Sequence, residues 1–339
     1  RSFFERGYSW QEVMRVGRKF SESIAEFDST MLEELRGIAE GAQRDLGEIV
    51  ALNARTELLY GVGADDADSV MELSGEGCTG AIVLGMATAS GNTLHGQNWD
   101  WRGESSAFTL VLEIQPDEGP KVLTLVEAGT LARCGLNSMG IGVTGNFLKT
   151  ELDLGRAGIP APFIRRKVLM SSNFHDAMSA VIRSQRSFSI NVMLGDGQGE
   201  GINFETTPER LFWVRPDRGI LVHSNHFQNP AAQALYDDKG LHVAPDSLYR
   251  DARVRRTLEA RINHITLDDL KDAFSDRFGD PYGVCRAPSV GPGGDESATL
   301  ATVVMDLTAG EFCVAKNPYD GARFQEFNFE TSNLQQEVS

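Results

Sequence analysis

The amino-acid sequence predicts an α+β fold in which helices and sheets form separate layers. Apolar residues recur at helical spacing early in the chain, where Leu32, Leu35, Ala39 and Leu46 make one stripe. From Cys78 onward, short strand-like runs follow one another with turn signals between them. Helices followed by many consecutive strands are typical of layered α+β proteins, whereas βαβ repeats would alternate the two.

The helical part has start signals and a clear end. Asp28-Ser29-Thr30 precedes the apolar stripe and predicts a helix start. A second helix is predicted from Glu48 through Leu59. Residues 61–69 are polar, acidic and glycine-containing, which predicts an exposed connector.

Strands dominate the chain after the connector, and helices return between them. The predicted strands cover residues 81–84, 93–99, 108–114, 122–126, 140–144, 190–194, 210–214, 220–223, 299–307 and 311–315, and the predicted helices lie within 160–185 and 246–278. No internal repeat interrupts this order.

Composition excludes several classes of partner. The chain has 339 residues, with 32 basic and 48 acidic side chains and a formal net charge of −16, which argues against a nucleic acid or an anionic membrane as partner. No stretch approaches the ~18 consecutive apolar residues of a membrane-spanning helix, and the first residues lack the apolar core of a signal peptide. The four cysteines form no C-x-x-C pair, so we expect a reducing, cytoplasmic location.

Three motif matches point to no ligand. Residues 140–145 fit the glycine pattern of a dinucleotide site, but no helix opens after them. The glycine-rich run 195–201 lies between strand-like runs and predicts a hairpin loop. His223 and His226 have metal-ligand spacing but lack matching third and fourth ligands. We therefore expect no metal and no cofactor.

Cys78 stands where the polar connector meets the first strand. A free cysteine is most often a small buried apolar residue, and that interpretation stays open here. The alternative is an N-terminal nucleophile, because a cysteine that starts a chain carries its own base, an α-amino group with a pKa of about 7.7–8.0. Attack of the thiol on the Gly77 carbonyl would release that amine, and glycine suits the strained turn that this step needs. Cleavage would divide the chain into a helical pro-segment, 1–77, and a catalytic domain, 78–339.

Motifs along nearly the whole chain support the second interpretation. They are Glu33–Gly41, Glu48–Glu57, Gly77-Cys78-Thr79, Gly96-Gln97-Asn98-Trp99-Asp100, Glu127-Ala128-Gly129, Gly135–Gly140, Val222–His226 and Pro245-Asp246-Ser247. In these residues the chain resembles the acyl-CoA:6-aminopenicillanic acid acyltransferase family, C45 peptidases of the N-terminal-nucleophile (Ntn) superfamily. Penicillin V acylase and bile salt hydrolase are more distant kin. The resemblance implies a four-layered αββα Ntn-hydrolase fold.

The resemblance also implies roles for individual residues. Cys78 is the nucleophile and, through its amine, the base. Asp100 orients that amine, and Asn225 donates its side-chain amide to the tetrahedral oxyanion. A backbone N–H near Asn146 is the second oxyanion donor, by analogy with bile salt hydrolases. The structural alternatives are that Asp100 merely ends a strand and that Asn225 forms a turn.

One segment departs from the family pattern. The penicillin-forming enzyme has a functional serine and arginine just before its final hairpin, and Glu296 occupies the place of that arginine here. Arg286 either replaces it near the nucleophile or is a surface ion-pair residue. The departure weakens the expectation of a penicillin-type substrate.

Trp101 is the predicted pocket residue. Strand alternation would send Trp99 and Trp101 to the face opposite Asp100, where both would belong to the core. If the strand ends at Asp100, the chain turns and Trp101 is free to line the pocket. An aromatic wall there predicts an apolar or aromatic acyl group in preference to a charged one.

The leading functional hypothesis is hydrolysis of a small non-peptide amide, an N-acyl amine or N-acyl amino acid, through an acyl-Cys78 thioester. Acyl transfer to an amine is the alternative within the class. Coenzyme A would need basic anchors for its phosphates, and the clusters at Arg165–Lys167 and Arg253–Arg256 are predicted to be solvated helix charges. The rival from another class is a non-catalytic Ntn-fold binding protein. The expected partners are the small amide or acyl donor and the chain's own cleaved pro-segment.

Overall fold

The computed structural model describes residues 9–60, 77–153, 158–290 and 296–329. The connector predicted at 61–69 lies outside them. The helices are α1 (Trp10–Phe27), α2 (Ser29–Ala42), α3 (Leu46–Asn53), α4 (Arg55–Tyr60), α5 (Ala161–Leu169), α6 (Phe174–Ile182), α7 (Pro230–Leu235), α8 (Lys239–Val243), α9 (Ser247–Glu259) and α10 (Leu267–Phe274). The strands are β1 (Gly77–Val83), β2 (Leu94–Arg102), β3 (Thr109–Ile114), β4 (Val122–Glu127), β5 (Cys134–Asn137), β6 (Ile141–Thr144), β7 (Ile190–Asp196), β8 (Glu200–Thr206), β9 (Leu211–Val214), β10 (Ile220–His223), β11 (Ser289–Val290), β12 (Glu296–Asp306), β13 (Glu311–Lys316) and β14 (Phe324–Asn328).

Two antiparallel sheets of seven strands each form the centre of the fold. The first sheet has the order β10-β1-β2-β12-β13-β14, with β11 paired to β12, and the second is a meander from β3 to β9. In the first sheet β2 pairs with both β1 and β12. Residues far apart in sequence therefore meet beside the start of β1, as in the pair Asp100 and Thr299.

Apolar interfaces stack the sheets and helices into four layers. Helices α9 and α10 cover the outer face of the first sheet, where Leu258 and Phe274 are buried. The inner faces of the two sheets pack on each other around residues such as Trp99 and Leu136. Helices α1 to α6 share a core with the outer face of the second sheet. This αββα arrangement confirms the layered α+β prediction.

The early helices begin where their capping residues stand. Ser9 and Glu12 form a reciprocal capping box at the start of α1, and Asp45 and Glu48 form another at α3. The single helix predicted from 48 to 59 is wrong, since α3 and α4 are separate. At the end of α3, the Asn53 side chain donates to the carbonyls of Ile49 and Gly129. These bonds attach the junction between α3 and α4 to the β4–β5 turn of the second sheet.

Strand β2 sends alternate side chains to opposite sides of the first sheet. His95 and Gln97 face the second sheet, where Gln97 Nε2 donates to the Gly145 carbonyl over 2.7 Å. Asn98 faces the helical layer and donates to the Phe274 carbonyl over 2.8 Å. The odd-numbered residues of β2 are therefore inside the sheet sandwich, and the even-numbered ones lie under α9 and α10.

The predicted strands are all present, and the glycine-rich run 195–201 forms the ends of β7 and β8 with the turn between them, since Gly195 pairs with Gly201 and Asp196 with Glu200. No bounds were predicted for strands β5, β8, β11 and β14, although the hairpin loop predicted at 195–201 implied a strand-like run after it. Strand β5 has only four residues and β11 two, too few to show a period, and β8 begins inside the glycine-rich run. Among the described residues, no helix is long and apolar enough to cross a bilayer.

Candidate active site around Cys78

Cys78 is the second residue of β1, between β10 and β2. Its register partner on β2 is Trp99, so the thiol faces the second sheet beside that ring. The Cys78 N–H donates to Asn225 Oδ1 over 2.9 Å, and its carbonyl accepts from Arg250 Nη1 over 2.7 Å. Side chains from distant parts of the chain thus hold both backbone polar groups of Cys78.

The Arg250 side chain links the backbone of Cys78 to the side chains of Thr79, Asn225 and Asp246. It is fully buried on α9, and its Nη1 also donates to Thr79 Oγ1 over 2.8 Å. Its Nη2 donates to Asn225 Oδ1 over 2.8 Å, and its Nε to Asp246 Oδ2 over 2.7 Å. A planar guanidinium with five N–H donors serves these acceptors together, which a lysine ammonium does not.

Asp100 lies on the helical side of β2, behind the backbone of β1. Its Oδ1 accepts a hydrogen bond from Thr299 Oγ1 over 2.6 Å, and its Oδ2 is 3.2 Å from Arg286 Nε. Arg286 also donates to Asp246, so the two carboxylates and Arg250 and Arg286 form one buried charge cluster. Burial raises the pKa of Asp100, whereas the positive charges of Arg286 and Arg250 lower it.

Position 77 has no room for a side chain. A Cβ on Gly77 would lie 2.5 Å from Asp100 Oδ2 and 3.0 Å from Arg286 Cζ. The glycine therefore lets the Gly77–Cys78 peptide lie directly against this charge cluster.

The thiol side of Cys78 borders a cavity of ≈ 70 Å³. Its walls come from α3, α4, β2, the second sheet and α5. The lining residues are Leu52, Asn53, Arg55, Thr56, Cys78, Trp99, Asp100, Trp101, Glu127, Thr130, Ala132, Arg133, Gly145, Phe147, Ala161, Pro162, Arg165 and Ile190. Residues on both sides of the predicted cleavage point thus enclose one cavity.

One wall of this cavity consists of two tryptophan rings with arginine guanidinium groups stacked over them. The Arg133 guanidinium stacks over Trp99 at 3.8 Å from the ring centroid, and that of Arg55 lies over Trp101 at 4.6 Å. Glu127 bridges the two arginines, with Oε1 2.6 Å from Arg55 Nη1 and Oε2 2.9 Å from Arg133 Nη2. This bridge holds the two arginines together at the cavity wall.

The thiol of Cys78 is protonated in the continuous chain. Burial, with a contribution from Asp100, raises its pKa to about 12. Burial raises the pKa values of Cys134 and Cys285 to about 12 as well. The pKa therefore does not distinguish Cys78 from the structural cysteines; its place at the start of β1, beside the cavity and the charge cluster, does.

Asn225 and Asp100 both lie at the start of β1, where Asn225 contacts Cys78 and Asp100 lies against Gly77. The partner of the Cys78 nitrogen is Asn225 rather than Asp100. Asn225 Nδ2 donates to the Phe147 carbonyl over 2.9 Å, so one of its two amide hydrogens is already engaged. Asp100 Oδ2 accepts no hydrogen bond among the described residues and lies against Gly77.

Asn146 lies beside this group, but its backbone N–H is engaged. It donates to the Asn191 carbonyl over 3.2 Å, while its side chain donates to the His223 carbonyl over 2.9 Å. The oxyanion role suggested for the Asn146 N–H therefore requires its bond to Asn191 to open.

Two expectations from the sequence need correction. The surface alternative for Arg286 is wrong, because this side chain is buried between Asp100 and Asp246. The premise that the strand ends at Asp100 is also wrong, since β2 continues to Arg102. Trp101 nevertheless lines the cavity, because the face opposite Asp100 is the one to which the thiol points.

The basic clusters on helices are also not uniformly solvated. Arg165 is 8% exposed and Arg166 2% exposed. Arg166 pairs with Glu34 of α2, and Arg253 forms hydrogen bonds to both oxygens of Asp276. None of these three arginines is a solvated charge of the predicted kind.

Sequence reasoning did not find Arg250, Thr299, Glu127, Arg133 or Arg55. Arg250 had a usable signal, because it stands four residues after Asp246 and so lies on the same helix face. Glu127 and Arg55 lie in two of the motifs that carry the resemblance, Glu127–Gly129 and Glu48–Glu57. Thr299 and Arg133 had no signal, since only the pairing of distant strands brings them to the site.

Comparison with known proteins finds relatives by sequence and neighbours by fold. The family described as Acyl-coenzyme A:6-aminopenicillanic acid acyl-transferase matches residues 87–316. The 40 kDa form of acyl-coenzyme A:6-aminopenicillanic-acid-acyltransferase from Emericella nidulans is 30% identical over 304 residues, which cover 87% of this chain and 77% of the relative.

Solved structures show the same fold. Two variants of the conjugated bile acid hydrolase from Clostridium perfringens superpose with TM-scores of 0.53 and 0.52 at 16% identity, covering 76% of this chain and 93% and 94% of theirs. These relatives are enzymes, an acyltransferase and a hydrolase, with which this chain shares sequence or fold. The chain has the Ntn-hydrolase fold and belongs to the acyl-coenzyme A:6-aminopenicillanic acid acyl-transferase family.

Proposed function

We propose that the chain is a self-processing cysteine Ntn hydrolase that cleaves a small linear amide through an acyl-Cys78 thioester. The observation that carries the proposal is the setting of the Gly77–Cys78 peptide. Asn225 and Arg250 hold Cys78, while Asp100 and Arg286 lie against Gly77. A buried structural cysteine needs no such arrangement around its backbone.

Self-cleavage begins with an N→S acyl shift. Cys78 Sγ adds to the Gly77 carbonyl carbon, the C–N bond breaks, and the thiol proton passes to the Cys78 nitrogen. Water then hydrolyses the thioester, which leaves a carboxylate on Gly77 and a free thiol with a free amine on Cys78. The carboxylate is freed beside Arg286, which is positioned to offset its charge.

The released amine supplies the base that the buried thiol lacks. An α-amino group with an ordinary pKa of about 7.7–8.0 accepts the thiol proton around neutral pH. Asn225 Oδ1 already accepts a hydrogen bond from this nitrogen. Once the Gly77 carbonyl has been cut away, Asp100 Oδ2 is the second acceptor positioned to orient the amine. Pro-segment helices that share a core with the second sheet stay bound after the cut.

Hydrolysis is favoured over acyl transfer from coenzyme A. A carrier with several phosphates needs exposed basic anchors, and Arg165 and Arg166 are buried while Arg253 is paired with Asp276. Acyl transfer to a small amine remains the second candidate, because an acyl thioester reacts with water and amines alike.

Acyl-enzyme trapping tests the proposal. The purified protein is incubated with neutral N-acyl amides that share one amine, quenched in acid, and analysed by mass spectrometry. We expect the acyl group on the peptide that begins with Cys78, and neither adduct nor turnover in Cys78→Ala. Turnover retained by Cys78→Ala would overturn the proposal. A competing amine in the same reaction identifies a transferase if a new amide accumulates.

A further inference from the structure

Arg165 has a position that the proposed chemistry does not use. It lies on α5, is more than nine-tenths buried, and lines the same cavity as Cys78. Within the part of the chain that the structure describes, no carboxylate forms an ion pair with it, and its Nε makes no hydrogen bond. A buried guanidinium without a partner costs stability, because its hydration is lost and nothing replaces it.

Among the described residues, neither Glu127 nor Glu57 forms an ion pair with Arg165. Arg133 and Arg55 both pair with Glu127, so two guanidinium groups already engage that carboxylate. Glu57 also acts on Arg165, but its Oε1 accepts from the Ala161 N–H over 3.0 Å and burial raises its pKa. Among the described residues that line the cavity, three are arginines, Arg55, Arg133 and Arg165, and two are acidic, Asp100 and Glu127.

The backbone opposite makes room for this guanidinium. A Cβ on Gly145 would lie 2.8 Å from Arg165 Nη2 and 3.0 Å from its Nε. Burial and the charge of Arg133 lower the pKa of Arg165 to about 10, which still leaves it positive near neutral pH.

We propose that Arg165 binds a carboxylate of the substrate, so that the amide cleaved at Cys78 belongs to an anionic molecule. The carboxylate would supply the missing ion pair as it enters the cavity, and binding would offset the desolvation of the arginine. This inference rests on the proposed function, because a carboxylate at Arg165 affects catalysis only if Cys78 cleaves an amide. It replaces the expectation of a purely apolar ligand with one that has an apolar part against Trp99 and Trp101 and a carboxylate at Arg165.

Two pairs of matched substrates test the inference. One pair has the carboxylate on the amine half, an N-acyl amino acid against its carboxamide. The other has it on the acyl half, a glutaryl amide against a valeryl amide of the same amine. We expect wild type to prefer the carboxylate in one pair, and Arg165→Leu and Arg165→Gln to lose roughly 10- to 100-fold in kcat/KM for that substrate but not for its neutral partner.

Lys167→Gln is the matched control. It removes one positive charge from the same helix, but at a 42% exposed side chain that pairs with Asp28 outside the cavity. Thermal melting confirms that each variant folds. The inference would be overturned if both Arg165 variants preferred the carboxylate substrate as strongly as wild type does. It would also be overturned if Lys167→Gln lost that preference.

A binding measurement separates this inference from the proposed function. Titration calorimetry with glutarate and with glutaramide needs no turnover. Glutarate binding that Arg165→Gln abolishes supports the anion site even if no amide is cleaved. If glutarate and glutaramide bind wild type equally, the anion site is contradicted whether or not Cys78 forms an acyl-enzyme.

Discussion

At the scale of single residues, the site depends on groups that fix the backbone of Cys78 more than on groups that touch its thiol. The Cys78 N–H and carbonyl are held by Asn225 and Arg250. Gly77 is the residue that lets Asp100 and Arg286 approach the bond to be cut. The lack of a Cβ at position 77 therefore makes room for these two side chains beside the bond to be cut.

Gly77→Ala tests this role of the glycine. The new Cβ would have to displace Asp100 Oδ2, 2.5 Å away, and the guanidinium of Arg286, 3.0 Å away. We expect cleavage to slow severely and the free energy of unfolding to fall by roughly 1–3 kcal/mol, as for other overpacked sites. Intact mass over time and thermal melting measure the two effects.

Gly37→Ala is the control for the substitution at Gly77. Gly37 lies in α2, and a Cβ added there would meet nothing within 4 Å, so alanine in this helix is expected to stabilise by about 0.5–1 kcal/mol. Cleavage of Gly77→Ala at the wild-type rate would show that contact between Gly77 and the charge cluster is unimportant for processing.

At the scale of elements, β2 explains why Trp101 lines the cavity although the strand does not end at Asp100. Alternation holds along this strand, and Trp101 does lie opposite Asp100. The side of the sheet that holds the thiol, however, is set by the pairing of Cys78 with Trp99. A single strand's period does not reveal which of its faces borders the site.

The same strand carries a buried histidine whose protonation should control acid stability. His95 is fully buried, its Nε2 lies 2.9 Å from Thr144 Oγ1 on the second sheet, and burial lowers its pKa to about 3. Below an ordinary pKa of about 6.5 the unfolded chain takes up a proton that the folded chain refuses until about pH 3. Stability is therefore full above that ordinary pKa and is lost as the pH falls.

Urea unfolding at pH 7 and pH 5 measures this loss. We expect His95→Gln to lose roughly 2 kcal/mol less than wild type between the two pH values, because glutamine cannot take up the proton. His175→Gln, at a position on α6 outside the core, should behave as wild type. Equal acid sensitivity of His95→Gln and wild type would contradict the assignment.

At the scale of the whole molecule, the sequence was sufficient for the layered arrangement of helices and strands, though not for every element, and for Cys78, Asp100 and Asn225 as neighbours. Those residues carry local motifs. It was insufficient for Arg165, which looked like a solvated helix charge because its burial depends on packing between α5, α4 and the second sheet. Thr299 reaches Asp100 only through the register of β12 on β2, which no local pattern encodes.

The most direct test of the central claim is the intact mass of the purified protein under denaturing and native conditions. We expect wild type to give two masses under denaturing conditions, residues 1–77 and 78–339, and one complex of both in native spectra. Cys78→Ala should give one full-length mass and no activity. A single full-length wild-type mass after prolonged incubation, with activity retained, would contradict the account.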